Sequence, residues 1–356
     1  MADRRIKAQR NLAGVLLGRP PRIALGGAAL LAAGTLPLWL NTINLYTAGQ
    51  AVVFAVLGVG LMVSLGVCRQ ANFGITPYFA FGAYGAADIC VRWHLGAVGA
   101  LLAVTVVSGI GGYLIGRIVL RLRQFTLALA TFVLATAVWE YLEVGFPQSL
   151  GGGDNGLVLP TLSVFGYSIF GNAGYYLALA SLVVTIAVLA IVMRTRIGRA
   201  LHALGQDATA AQTSGIDVTH YGALGYAISA AIAATAGALF LYTVGAITPD
   251  GFDVGVNVTV LLMVVLGGLS TLAGPVIGAA FIVVLNQKLE SALSYSVLID
   301  GLVLLAVVRF LPDGLAGQFV RWADHLRGVL SGEPREPGSD SLDPAAPDPL
   351  ATGSGG

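Results

Sequence analysis

Four polar side chains crowd one stretch of the third apolar segment: Gln70, Asn72, Thr76 and Tyr78, around Pro77. Amides, a hydroxyl and an aromatic phenol in alternation suit contact with a small solute that carries both polar and apolar faces. Proline removes a helical hydrogen bond and breaks or kinks the helix there. In a membrane the freed backbone groups must be met by protein or must line a wet cavity. Two readings follow: an ordinary kinked helix with Asn72 and Thr76 bonded to neighbours, or the lining of a translocation route. Phe79, Phe81 and Tyr84, beside Gly82 and Ala83, read as helix packing.

A second polar cluster lies between two apolar runs, Tyr175–Met193 and Gly222–Gly245. It runs from Gly198 and Arg199 through Ala200, Ala203, Asp207, Ala210 and Ala211 to Gly215, Ile216 and Asp217. It reads either as a plain cytoplasmic loop or as a docking element. The alanine spacing predicts a short surface helix with one small-residue face, which can nestle into a groove on another protein. A third cluster, Gly152, Gly153, Asn155 and Gly156, forms turns, because glycine permits positive φ and close backbone approach. It is either a connecting loop or a docking surface for an outside partner.

Other chemistry is missing from the sequence. No Gly-x-x-x-x-Gly-Lys-Ser/Thr loop is present, so ATP is not bound by that device. Gly151-Gly152-Gly153 lacks a following lysine. His94, His202, His220 and His325 show no metal-ligand spacing, and no serine or cysteine stands in a nucleophile motif. Ion-coupled carriers bury carboxylates at mid-membrane, whereas Asp88, Glu140, Glu143 and Asp300 lie near segment ends. The energy source is therefore expected outside this chain, and no covalent catalysis is expected within it.

The elements that position these clusters follow from composition. Of 356 residues, 56% are hydrophobic and only 10% charged, with a mean hydropathy of +0.82. Soluble domains carry about 25% charged residues, so the chain reads as an all-α integral membrane protein. Its 48 glycines suit close helix packing in lipid. A net charge of +1 gives no sign of nucleic acid. Cys68 and Cys90 would stand ~33 Å apart on one helix, which excludes a disulfide between them.

A span needs about 20 mainly apolar residues. Candidates are 23–42, 48–67, 71–91, 95–116, 124–145, 174–194, 222–245 and 295–311, with a longer region at 257–287. That region is interrupted by Gly267-Gly268 and Gly274-Pro275 and reads as two short helices meeting near Ser270. The result is a polytopic bundle of about ten transmembrane helices with both termini inside; one crossing at 257–287 would make nine. With ten, all of the 19 Lys/Arg except Arg92 and Lys288 lie inside, as the positive-inside rule requires. Residues 1–22, with Arg4, Arg5, Lys7, Arg10, Arg19 and Arg22, form a basic cytoplasmic segment. The apolar run after it overshoots the ~7–15 residues of a signal-peptide core and is expected to stay as the first helix. The membrane domain would cover 23–317, with its cytoplasmic loop at about 195–221. A cytoplasmic tail, 318–356, should be disordered from about 331, where Gly, Pro, Ser and acids take over.

From about Leu45 to Gly317 the chain resembles the branched-chain amino-acid ABC-transporter permeases, specifically the M-type of their two permease subunits. Gln70, Gly74, Phe79, Gly82, Ala83 and Tyr84 match the pattern of that family's third segment. Gly152, Gly153, Asn155, Gly156 and Leu157 match its outer loop. Gly198 to Ile216 is similar to the loop that contacts the ATPase, Leu262 to Pro275 to the closing signature, and Leu311 to Gly317 to its end. Arg69, Asn72 and Ile75 stand where the family tends to have glycine, serine and histidine. Gly205 and Ala208 stand where arginine and glutamate are common.

The resemblance implies a multi-pass subunit of the bacterial inner membrane, paired with a second permease, two ATPase subunits carrying ATP and magnesium, and a periplasmic binding protein. It implies that 198–217 is the coupling loop, pushed when the ATPases close, and that the solute is a branched-chain amino acid or a related small polar or anionic compound. The competing class is a stand-alone secondary carrier or channel.

Overall fold

Lipid offers backbone groups no hydrogen-bond partner, so apolar runs of this length satisfy themselves as helices. The computed structural model describes residues 33–35, 37, 39, 41–70, 72–122, 124–145, 157–158, 163–164, 167–168, 172–269 and 271–289. In chain order these form α1 (Thr42–Met62, prolonged by a π-turn at Val63–Val67), α2 (Ile75–Arg92), α3 (Ala97–Val119) and α4 (Gln124–Glu140, prolonged by a π-turn at Tyr141–Gly145). Then come α5 (Asn172–Arg194), α6 (Arg196–Gln206), α7 (Ala208–Thr213), α8 (Val218–Val244), α9 (Val254–Gly267) and α10 (Gly274–Leu289).

Among the described residues, five helical stretches are long and apolar enough to cross a membrane: Ile43–Val67, Ala97–Val119, Phe125–Val144, Asn172–Arg194 and Val218–Val244. They divide sharply by burial. In the most apolar window of α1 and of α8, 61% is buried inside the chain, against 22% for α3, α4 and α5. α8 is the hub and packs on α3, α2 and α1. Small residues make this possible: a Cβ on Gly237 would overlap the Phe79 backbone. The Tyr242 hydroxyl donates to the Ala97 carbonyl at 2.8 Å, and Thr105 and Thr235 bond at 2.8 Å, tying α8 to α3. Phe54, Phe79, Phe240 and Phe252 fill the space among α1, α2 and α8 with tilted and edge-on contacts.

The helix starts carry legible signals. Asp207, Asp217 and Asp253 each accept from backbone N–H groups one turn on, as N-caps do, and so begin α7, α8 and α9. Gly245 ends α8 at φ 78°.

Region 257–287 does hold two short helices, α9 and α10, separated at 268–273. Gly267 meets Gly274 and Met263 meets Gly278, so the two run antiparallel in tight contact. Their 14 and 16 residues extend ~21 and ~24 Å. α1 starts at Thr42, six residues before the expected 48. The expected spans at 23–42 (apart from a few helical residues at 33–39) and 295–311, together with the terminal segments 1–22 and 318–356, lie outside the described residues. Two small antiparallel pairings complete the architecture: β1 (Leu157–Val158) with β4 (Ala246–Ile247), and β2 (Ser163–Val164) with β3 (Tyr167–Ser168).

Candidate functional site

α1 does not stop cleanly. Its last turn widens to a π-turn, Cys68 N–H donates to Val63 at 3.1 Å, and Gln70 N–H reaches back six residues to Ser64 at 2.9 Å. Such a closure needs a left-handed residue, normally glycine. Arg69 holds that place at φ 51°. The chain then crosses between helices within the protein. Phe73 N–H donates to Thr131 Oγ1 on α4 at 3.1 Å, and the Asn72 side chain accepts from Gly74 N–H at 2.8 Å.

α2 begins only at Ile75, which corrects the expected cause of the interruption. Pro77 sits in the first turn of α2, where its missing N–H takes nothing from the helix. The break precedes the proline, in residues 68–74.

Thr76 is 1% exposed, and its Oγ1 accepts from Asn257 Nδ2 of α9 at 2.7 Å. Its backbone N–H points to Asn257 Oδ1 at 3.4 Å. Tyr78 meets Tyr226 of α8 edge-on, with ring centroids 5.9 Å apart. A Cβ built on Gly74 would lie 3.3 Å from both Asn72 Oδ1 and the Tyr226 hydroxyl, and one on Gly222 would lie 2.8 Å from Gln70 Nε2. Gln70 Oε1 is buried with no protein hydrogen-bond partner, while the buried Tyr78 and Tyr226 hydroxyls have only each other. Buried polar atoms are ordinarily paired, so the unpartnered Gln70 amide oxygen beside this hydroxyl couple marks a place that can take water or a polar solute. Beside them is a recess bordered by Leu61, Leu65, Asn72, Ile75, Asn257 and Leu261, with a volume of about 10 Å³ for the centre of a water molecule. It holds one water at most.

The four residues singled out from sequence are thus brought to one junction of α1, α2, α4, α8 and α9. Asn257, Tyr226 and Thr131 complete it. Asn257 interrupts an apolar run, a signal that could have found it. Tyr226 carried none, being one aromatic among many.

The second cluster forms two helices rather than one. Asp207 lies between α6 and α7 and accepts from Thr209 and Ala210 N–H groups at 2.8 and 3.1 Å. The expected single alanine face is therefore divided: Ala200 and Ala211 are buried, Ala203 is half-buried and Ala210 is exposed. The buried side of α6 is Gly198, Ala200, Leu201, Leu204 and Gly205. A Cβ on Gly198 would overlap the Met193 backbone, and one on Gly205 the Val67 carbonyl. Leu201 approaches Gly225 and Leu204 approaches Gly222 at the start of α8. Arg199 is exposed and donates to the Arg194 carbonyl at 3.1 Å, capping the end of α5. Gly215, at φ 82°, turns the chain after α7, and Ile216 N–H closes on the Ala211 carbonyl at 3.0 Å. Burial pushes the His202 imidazole below its usual pKa. α6 thereby touches the ends of α5 and α1 and the beginning of α8, while its other side faces outward.

Gly152, Gly153, Asn155 and Gly156 lie outside the described residues. The strand right after them is held by the pairing of Leu157 with Ile247.

Residues 43–308 match a protein family described as branched-chain amino acid transport system / permease component. The chain is similar to the high-affinity branched-chain amino acid transport system permease protein LivM of Salmonella typhimurium, 28% identical over 313 residues, covering 81% of this chain and 73% of LivM. It is similar to LivH of Escherichia coli K12, a permease protein of the same kind of system, at 27% over 74% of this chain and 91% of LivH. It also resembles the fructose import permease protein FrcC of Rhizobium meliloti, at 26% over 70% of this chain and 67% of FrcC. No solved structure matches it.

Proposed function

The chain belongs to the family of permease components of branched-chain amino acid transport systems, and on that premise we propose that it is one of two permease subunits of a bacterial ABC importer. It is a multi-pass transport subunit of the inner membrane. In this reading it forms half of the solute route and pairs with a similar permease. Two ATPase subunits, which hold ATP and magnesium, drive it, and a periplasmic binding protein delivers the cargo. The cargo is a branched-chain amino acid or a related small polar or anionic solute. The names of LivM and LivH support the first, and that of FrcC keeps the second open.

The observation that carries the reading is the seating of α6. Its inner side is locked on Val67, Met193 and Gly222, while Arg199, Gln206, Ala210 and Thr213 face outward along α6 and α7. A push on the outer side is passed by backbone contact to the helices that surround Gln70 and Asn72. Single cysteines at Gln206 and Ala210 should cross-link to the ATPase and resist labelling from the periplasm. Periplasmic labelling, or no cross-link, would remove the coupling role. The full topology in this reading has ten helices with both termini in the cytoplasm. A reporter fused after Gly317 should then be active only inside the cell. The loop at Gly152, Gly153, Asn155 and Gly156 docks the binding protein.

A further inference from the structure

The recess beside Asn72 admits no amino acid as it stands, so one of its walls must move if a solute is to pass. α9 supplies one wall through Asn257 and Leu261; Leu61 and Leu65 of α1 with Asn72 and Ile75 supply the rest. α9 packs chiefly on α10 and on α1, and much less on α2. A side-chain pair ties α9 to the start of α2: Asn257 Nδ2 on Thr76 Oγ1 at 2.7 Å, backed by Thr76 N–H toward Asn257 Oδ1 at 3.4 Å. Both residues are buried, at 2% and 1% exposure. Both bonds use the Asn257 side chain, so rotating one amide frees them without unwinding either helix.

We propose that the Thr76–Asn257 pair is a latch between α2 and α9 that shuts the solute route in this conformation, and that the parted amide and hydroxyl turn to the polar end of the passing solute. The proposal rests on the permease reading and adds to it a gate and a residue, Asn257, on a second helix. Buried amides and hydroxyls are not left unpaired without loss, so the groups that hold the route shut are the same ones that need a partner when it opens. That couples opening to the presence of a polar cargo or water. Gln70 Oε1, buried without a protein partner, and the Tyr78–Tyr226 hydroxyl couple extend the polar lining along the same junction.

The test uses the assembled transporter in proteoliposomes, with its ATPases and binding protein and with radiolabelled leucine as the probe. In a chain carrying C68A and C90A, the T76C/N257C pair is bridged with a short bifunctional thiosulfonate. Leucine uptake should fall at least tenfold and return on reduction, with ATPase subunits still bound. Uptake at the unbridged rate, or failure of the two cysteines to bridge, overturns the latch. Absence of leucine uptake by the unbridged parent overturns the amino-acid permease reading itself, and the latch with it. Thr76→Val gives a check without cysteines: it keeps the side-chain shape but removes the acceptor. ATP-independent leucine efflux should rise several-fold, and an unchanged efflux also overturns the proposal.

Discussion

The two polar interruptions of this chain, residues 68–76 and 195–217, are built from the same parts and end in opposite states. Each has a residue at positive φ, Arg69 in one and Gly215 in the other. Each has a side chain accepting from a nearby backbone N–H, Asn72 in one and Asp207 in the other. The surface interruption pairs Asp207, Thr213 and Ser214 within itself and leaves one buried atom, His202 Nε2, without a protein partner. The buried one leaves Gln70 Oε1 without a partner, sets the Tyr78 and Tyr226 hydroxyls against each other and borders a recess. The difference teaches that polarity within a membrane chain does not mark a route by itself. Polar groups brought by several helices to one recess do.

Gly205 joins the two regions, and Gly205→Leu should have the largest effect. The new side chain would have to displace α6 from the Val67 carbonyl, and overpacking of this kind costs about 1–3 kcal/mol. Uptake should drop at least tenfold while the subunit still inserts, measured by transport in vesicles beside membrane fractionation. Normal uptake would show that α6 does not act through α1.

Asn72 tests the buried side of the comparison. Asn72→Leu removes the acceptor for Gly74 N–H, worth about 1 kcal/mol, and makes the recess apolar. Uptake should slow several-fold with complex assembly and basal ATP hydrolysis retained, whereas Asn72→Ser, a competent cap, should recover most of it. Equal loss in both variants would mean that volume matters there rather than hydrogen bonding.

Gly215→Val probes the surface interruption through the backbone alone, since nothing lies within 4 Å of its would-be Cβ. A β-branched residue at φ 82° costs about 1–2 kcal/mol. The expected result is a lower melting temperature in detergent with cross-linking of Ala210 positions weakened. An unchanged melting curve would place the turn outside the cooperative unit.

The smallest effect concerns His202. Burial lowers its pKa, so the folded chain favours the neutral ring. Its contribution is fully present above the unfolded value of about 6.5 and is lost as pH falls through the lower folded value. Melting temperature should therefore decline with acid more in the wild type than in His202→Gln. Identical declines would show that the ring is solvated.

Much of the fold was legible because lipid leaves apolar runs a single solution. The limits of α4 and α5 and the division of 257–287 into α9 and α10 follow directly from apolar length and Gly/Pro punctuation. The candidate site was half legible. Gln70, Asn72, Thr76 and Tyr78 stood out as polar residues in an apolar segment, but Pro77 was an obvious and misplaced cause for the break. Proline reads alike at a kink and in a first turn, and only the position of the helix start distinguishes them. The alanines at 200, 203, 210 and 211 implied one face, while the Asp207 cap divided them between two helices.

By itself, the sequence determined what any membrane chain of this composition must do: form long helices, cap them at Asp207, Asp217 and Asp253, and turn at glycine. Those outcomes depend on neighbours within a few residues and on the solvent. Tertiary structure decided which polar groups are paired. Thr76 meets Asn257 across 181 residues, and Tyr226 meets Tyr78 across a helix interface. Such pairings depend on how α8 and α9 approach α2. That approach is set by glycine contacts and ring packing summed over several helices, which no local stretch of residues encodes.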